Sequence, residues 1–568
     1  MKRILISLIA LLLALSMIFV GCNEEPPANN DQGNGTPNTP PADTTYTLTE
    51  NYLPDEIYTQ MKAYFESKET GFYPYNDRAN APLVCTDVFV ISNAKVKSIT
   101  IPVFSTGKAD SEGNFTFSIY ILPNDWSKLR TEMADPAEPI VIKVNAEEHG
   151  LTENTMAIRK FIKVDLTEYD IVLNDKQTLG FSSSEDTLIP ARVQTKGTVD
   201  DLGKEKYTPA KYMIDNWDVV GYYYYNTTES AFAYTDNSLL FDFELERTYE
   251  SEDAYNAMIA AQAQADADYA AKLAAVAEAY GGKYFSLIGD SISTFNGVTN
   301  NGSINSTLVG NAVHYTINTT VYNPSKTYWG KLAEDTGMNH CVINSWSGGK
   351  VYGTERNENK DNMLTRSYNL KTNAGKSPDV IFLYYAINDM LNSPSSVNGT
   401  SEDDFTGALP TGDLYQRLNA KSDDKTTKEI VAEWFAEVER KAILSGYVAD
   451  NPATIKCGET YITWEGAYAL SLQNIKRLYG DAEVFVLTLA EANHGSNGQP
   501  RFGKANVVLR ALAEYFEVGL VDQDKSEVNK ANCHMYARDA HGLHPNGKGH
   551  AALTKLIVET LYERLPKQ

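Results

Sequence analysis

Tyr284-Phe285-Ser286-Leu287-Ile288-Gly289-Asp290-Ser291-Ile292-Ser293 is the stretch that decides the fold of the second half of the chain. Its apolar run from Tyr284 to Ile288, halted by a glycine, predicts a buried strand, and Ser291 falls just past the strand's carboxyl end. Downstream the same kind of run recurs at Cys341–Asn344, Val380–Tyr385, Glu483–Leu489 and Val518–Val521. Helical patterns lie between and after these runs, at about 325–337, 428–443, 462–479, 502–516 and 546–563. Such alternation predicts a five-stranded parallel sheet covered on both faces, with ligands bound at the carboxyl ends of the strands. The polar stretch from Leu391 to about Thr460 is long for a connection in such a domain and reads as a rim or lid over the site.

Upstream, residues 250–282 are dominated by alanine and lack proline, and no glycine precedes Gly281. Alanine at that density favours a helix, read here as a connector. Before it, residues 46–249 carry short apolar or alternating runs at Val96–Phe104, Phe115–Leu122, Ile140–Val144, Phe161–Leu166, Met213–Tyr225 and Leu239–Leu245. Turn clusters punctuate them, which predicts a separate antiparallel β-sandwich of jelly-roll type. Residues 23–45, rich in Asn, Pro, Gly and Thr, read as a solvated tether. Residues 1–22 read as an export signal: Lys2 and Arg3, an apolar run to Val20, then Gly21-Cys22. Phe19-Val20-Gly21-Cys22 resembles a bacterial lipobox, which implies lipidation of Cys22 and an exported protein anchored to the cell membrane or outer-membrane surface.

The chain has 568 residues, enough for two folded domains, and a formal net charge of −24. That charge repels phosphate backbones and argues against a nucleic-acid partner. Besides Cys22 there are Cys85, Cys341, Cys457 and Cys533, too few for a disulfide scaffold and without paired metal spacing. Cys341 and Cys533 could pair in an exported protein or stay as free buried thiols.

Three further blocks join Ser291. The second strand runs into Asn344-Ser345-Trp346-Ser347-Gly348-Gly349, where a glycine lets a backbone N–H approach a developing oxyanion. The third ends in Ala386-Ile387-Asn388-Asp389, offering a side-chain amide at the same face. Near the C-terminus, His541-Gly542-Leu543-His544-Pro545-Asn546 precedes the last helix and makes His544 a candidate general base.

In this order the four blocks resemble those of the SGNH (GDSL-type) hydrolase family, over about residues 283–566. The resemblance implies a three-layer α/β/α domain and a serine esterase. It implies Ser291 as nucleophile, an oxyanion hole from the Ser291 N–H, Gly348 (or Gly349) and Asn388, and His544 as base. It also implies an acid at position 541, where this chain has His541. Three readings stay open: Asp539 supplies the carboxylate, a backbone carbonyl orients His544 in a dyad, or the site is weakened or inactive. Ala386 replaces the glycine usual in the third block, a change of one methyl group. The spacing of His541, His544 and His550 shows no carboxylate partner for a metal, and His550 reads as a surface or packing residue of the last helix.

The expected reaction is hydrolysis of ester groups through an acyl-enzyme, with no metal or organic cofactor required. An acidic, tethered protein with a sandwich ahead of its hydrolase suits acetyl groups on an extracellular polysaccharide, and Tyr222–Tyr225 could stack on sugars or line a buried strand. The alternatives are a lipase or lysophospholipase, and a weakly active or non-catalytic glycan-binding surface lipoprotein.

Overall fold

A computed structural model describes residues 45–568 apart from several stretches. In the first half these are 54, 67–71, 75–82, 86–92, 126–127, 129–136, 183–185, 195–197, 200–204, 207–221, 227–230, 236 and 240. In the second half they are 295–324, 326, 346–348, 352–362, 373–374, 392–412, 421–423, 445–462, 491–494, 530–531, 537–542 and 567–568. The signal segment with Cys22 and the tether up to residue 44 therefore lie outside the described residues, as do Gly348, Asp539 and His541.

Strand Tyr46–Asn51 pairs antiparallel with Asp242–Tyr249, Tyr46 opposite Tyr249, so the first and last strands of the N-terminal domain lie side by side. They belong to an eight-stranded sheet built around the long strand Ala94–Thr106. A six-stranded sheet runs in the order Ala231–Thr235, Tyr222–Asn226, Leu83–Cys85, Gln177–Ser182, Asn114–Pro123, Ile140–Asn145. One core joins the two: Val96, Ile99, Ile101 and Val103 from the first sheet meet Phe115, Phe117, Ile142 and Phe181 from the second. Simple alternation would put Val96 and Ile99 on opposite faces. A register shift against Asp242–Tyr249, with Glu244 opposite Ser98 and Leu245 opposite Val96, leaves Lys97 as the extra residue of a bulge and turns both inward. A helix not anticipated from the sequence, Asp55–Glu66, buries Phe65 against Phe161, ring centroids 5.0 Å apart.

The alanine-rich stretch forms one helix, α1 (Glu252–Tyr280), whose N-terminus is capped by the Ser251 side chain. Its early turns are exposed. Its last turns are not a free connector, because Val276 and Tyr280 are buried in the core of the domain that follows.

That domain is a sheet of five parallel strands: β1 (Tyr284–Gly289), β2 (Asn339–Ser345), β3 (Val380–Tyr384), β4 (Glu483–Leu487) and β5 (Gly519–Val521), in the order β2-β1-β3-β4-β5. The longer helices are α2 (Tyr328–Thr336), α3 (Thr427–Leu444), α4 (Trp464–Leu478), α5 (Gly495–Phe516) and α6 (Gly547–Glu563). Helices α1, α2 and α6 pack on one another, and α3, α4 and α5 form a second group, giving three layers. Helix α5 starts before the expected residue 502; Gly495, Gly498 and Pro500, poor helix formers in its first turns, hide that start in the sequence. None of the helices among the described residues is long and apolar enough to cross a membrane.

Two expectations change. Part of the supposed rim or lid is wall: α3 buries Val431, Trp434 and Phe435, and Phe435 meets Phe516 of α5 at 5.3 Å. The short helix Asp413–Asn419 is held the same way, its Leu414 and Tyr415 N–H groups donating to the buried Glu465 carboxylate at 3.2 and 3.4 Å. Alternating polar residues hid this, since only one face of each helix is apolar. Cys341 and Cys533 are both buried and form no disulfide with each other, so the pair left open is not a disulfide. The Cys341 thiol instead points to the Lys376 and Leu370 carbonyls, 3.2 and 3.4 Å away.

Candidate active site

The strand order reverses at β1, with β2 on one side and β3 to β5 on the other, so the carboxyl ends of β1 and β3 border the crevice where ligands bind in such sheets. Both ends carry chemistry. After β1 the chain enters a single 3₁₀ turn, Ser291–Ser293, and the Asp290 carboxylate caps it by accepting the Ile292 N–H at 3.0 Å. Gly289 is required here by space: a Cβ at that position would come 2.2 Å from the Ser293 hydroxyl oxygen and 2.9 Å from that of Ser345. The turn is pinned from α2, where the Trp329 indole N–H donates to the Ser293 carbonyl at 2.8 Å and the Tyr328 hydroxyl meets the Ser293 hydroxyl at 2.7 Å.

Ser291 Oγ lies 2.9 Å from Nε2 of His544, a residue 253 positions away in the chain. With the ring proton on Nδ1, Nε2 accepts from the hydroxyl, which is the geometry of a nucleophile and its base. His544 is placed by the start of α6. Asn546 caps that helix by accepting the Gly549 N–H at 3.0 Å, and its own N–H donates to the Tyr536 carbonyl at 2.9 Å. The Cβ of any other residue at 549 would sit 2.1 Å from that carbonyl oxygen.

From the third block, buried Asn388 donates through Nδ2 to the Gly349 carbonyl at 3.1 Å, and Asp389 accepts the Val351 N–H at 2.8 Å. These bonds tie the end of β3 to the glycine turn after β2. Ala386, between the end of β3 and Asn388 in the chain, has φ of +102°, a conformation that favours glycine, and it is fully buried. The one-methyl change expected to be slight therefore carries backbone strain on the order of 1–3 kcal/mol. His550 is fully buried rather than on the surface. Its Nδ1 accepts the Tyr328 N–H at 3.2 Å, and burial pushes its pKa down to about 3, so it is neutral at physiological pH. Among the described residues no three His, Cys, Asp or Glu side chains are grouped to hold a metal.

Residues 283–411 match the family model described as GDSL-like lipase/acylhydrolase. This part of the chain belongs to that family. The C-terminal domain is accordingly a carboxylic ester hydrolase of the SGNH type. Among solved structures, a protein from Bacteroides ovatus described as a GDSL-like lipase shares 19% identity over 49% of this chain and 96% of its own, with a TM-score of 0.28. A similar one from Bacteroides uniformis shares 16% over 50% and 96%, TM-score 0.27. An acetylxylan esterase from Geobacillus stearothermophilus, solved as a catalytic mutant, shares 13% over 50% and 95%, TM-score 0.28. No curated protein matches the chain.

The GDSL-like domain also contains a charged group that motif reading missed. Arg366, on the short helix Met363–Arg366, is only 4% exposed. Its Nε donates to Asn344 Oδ1 at 2.8 Å, Nη1 to the Tyr385 hydroxyl at 2.9 Å and the Gly289 carbonyl at 3.4 Å, and Nη2 to the Asn344 carbonyl. Asn344 answers through Nδ2, which donates to the Arg366 carbonyl at 3.3 Å. The only hint in the sequence is one arginine beside Met363 and Leu364, which does not distinguish burial from a surface turn. Asp290 is fully buried too, with Oδ2 unpartnered; burial raises its pKa to about 6 against the opposing pull of the Ile292 N–H, His544 and Arg366.

Proposed function

We propose that this protein hydrolyses ester groups, acetyl groups in particular, on an extracellular carbohydrate. Ser291 Oγ attacks the ester carbonyl as His544 Nε2 takes its proton. The oxyanion is met by the Ser291 N–H, the Gly348 N–H and the Asn388 amide. His544 gives the proton to the departing sugar oxygen, which leaves as a hydroxyl, and water then releases the carboxylic acid from the acyl-enzyme. The observation that carries this reading is the 2.9 Å contact between Ser291 Oγ and His544 Nε2 at the carboxyl end of β1. The acid partner of His544 is assigned to Asp539, two residues before the family position held by His541. Cys22 is the lipidation site, which places the protein on the outside of the cell as a membrane-anchored lipoprotein. The preference for a carbohydrate rests on that export signal, the acidic chain and the β-sandwich ahead of the hydrolase.

The test is hydrolysis by the whole protein of p-nitrophenyl acetate, butyrate and octanoate, and release of acetate from acetylated xylan. Ser291→Ala is expected to lower kcat by about 10³-fold or more, and His544→Ala similarly. Turnover equal to that of Ser291→Ala would overturn the esterase reading. Preference for octanoate would favour a lipase. An unchanged rate in Asp539→Ala would remove that residue from the triad.

A further inference from the structure

We propose that Arg366 is a positioning residue of the hydrolase site: one buried guanidinium fixes the ends of β1, β2 and β3 relative to one another and sets a positive charge near Asp290 under the nucleophile turn. This rests on the ester-hydrolase reading of the same site. Its donors reach the Gly289 carbonyl at the end of β1, the Asn344 side chain and carbonyl near the end of β2, and the Tyr385 hydroxyl just after β3. Those strand ends lead directly into Ser291, the glycine turn and Asn388. Hydrolysis needs the nucleophile and the oxyanion donors on three separate strands to hold their spacing within a fraction of an ångström, and a planar fork bonded to all three strand ends does this.

The charge has its own role. Among the described residues no carboxylate is in ion-pair contact with the guanidinium, and a buried cation without a carboxylate partner is costly unless the site uses it. The charged and titratable groups facing Asp290 are His544 from the loop before α6, Arg366 from its short helix, Tyr328 from α2, and Tyr384 and Tyr385 from the end of β3. The tyrosines are held neutral by burial, so Arg366 is the permanent cation acting on the Asp290 carboxylate that caps the Ser291 turn.

Arg366→Lys keeps the charge and loses the fork, and Arg366→Met loses both. With p-nitrophenyl acetate, Arg366→Lys is expected to lower kcat by roughly 10-fold to 100-fold with KM changed less than about threefold, and to leave the acid limb of the pH profile in place. Arg366→Met is expected to lower kcat further and move the acid limb to higher pH, a shift that loss of packing alone does not produce. Tyr385→Phe, which removes one acceptor, gives a smaller fall in kcat and serves if Arg366→Met does not fold. Folded Lys and Phe variants with wild-type kcat, or a folded Met variant with an unmoved acid limb, would overturn the role. If the wild-type protein turns over and the folded variants behave like it, the positioning role alone falls. If the wild-type protein does not turn over, the esterase reading falls first.

Discussion

Asp290 shows how a single residue can serve the site at the expense of the fold. Its carboxylate accepts the N–H that shapes the nucleophile turn, yet it is fully buried with one oxygen unpartnered, and its pKa rises to about 6 from an ordinary 3.8. Well below pH 3.8 the group is protonated in both folded and unfolded chains and contributes nothing to the difference. As pH rises through the window from about 4 to 6 the unfolded chain releases its proton first, so stability falls, by about 3 kcal/mol in total. Asn at 290 retains an acceptor for Ile292 and carries no charge. Asp290→Asn should therefore raise stability at pH 8 by about 2–3 kcal/mol, leave it nearly unchanged at pH 4, and lower esterase activity. Urea unfolding at the two pH values checks this, and equal effects at both would show that Asp290 is not ionised against burial.

Among the elements, α6 matters most to the chemistry, because His544 lies in the short loop that leads into its first turn. The Asn546 side chain caps the helix, its N–H anchors the loop to Tyr536, and Gly549 permits the close approach. Removing a cap of this kind costs about 1 kcal/mol. Asn546→Ala should lose that stability in urea unfolding and, by loosening His544, lower kcat by about tenfold or more while KM stays nearly constant. A stable helix with unchanged kcat would mean that Pro545 and Leu543 hold the histidine without the cap. Helix α3 shows the opposite division of labour: its buried Trp434 and Phe435 build the domain wall, and it brings no catalytic group to Ser291.

At the scale of the whole molecule, two separate hydrophobic clusters serve the sandwich and the hydrolase domain. The strand pair that closes the sandwich leads straight into α1, with the rings of Tyr249 and Tyr255 4.9 Å apart at the junction. Separate cores predict two calorimetric transitions. Phe243→Ala empties a site in the sandwich core and Phe285→Ala one under β1, each destabilising its own domain by about 3–5 kcal/mol. Phe243→Ala should lower one transition and leave the other, with turnover retained between them. A single transition lowered by both variants would show that the domains unfold as one.

Apolar runs of the right length, glycines at strand ends and alternation with helical patterns are local properties, and they made all five parallel strands, the helices between them and Ser291 with His544 legible in the chain. The jelly-roll reading had less to work with: strand Tyr46–Asn51, helix Asp55–Glu66 and the bulge at Lys97 depend on partners far along the chain. Burial of a polar group is likewise settled only by what folds over it. The wall formed by α3, the strained φ at Ala386, the Cys341 thiol turned to two carbonyls and the guanidinium of Arg366 under three strand ends follow from that tertiary environment. A lone arginine or alanine in the chain does not show which backbone will close around it.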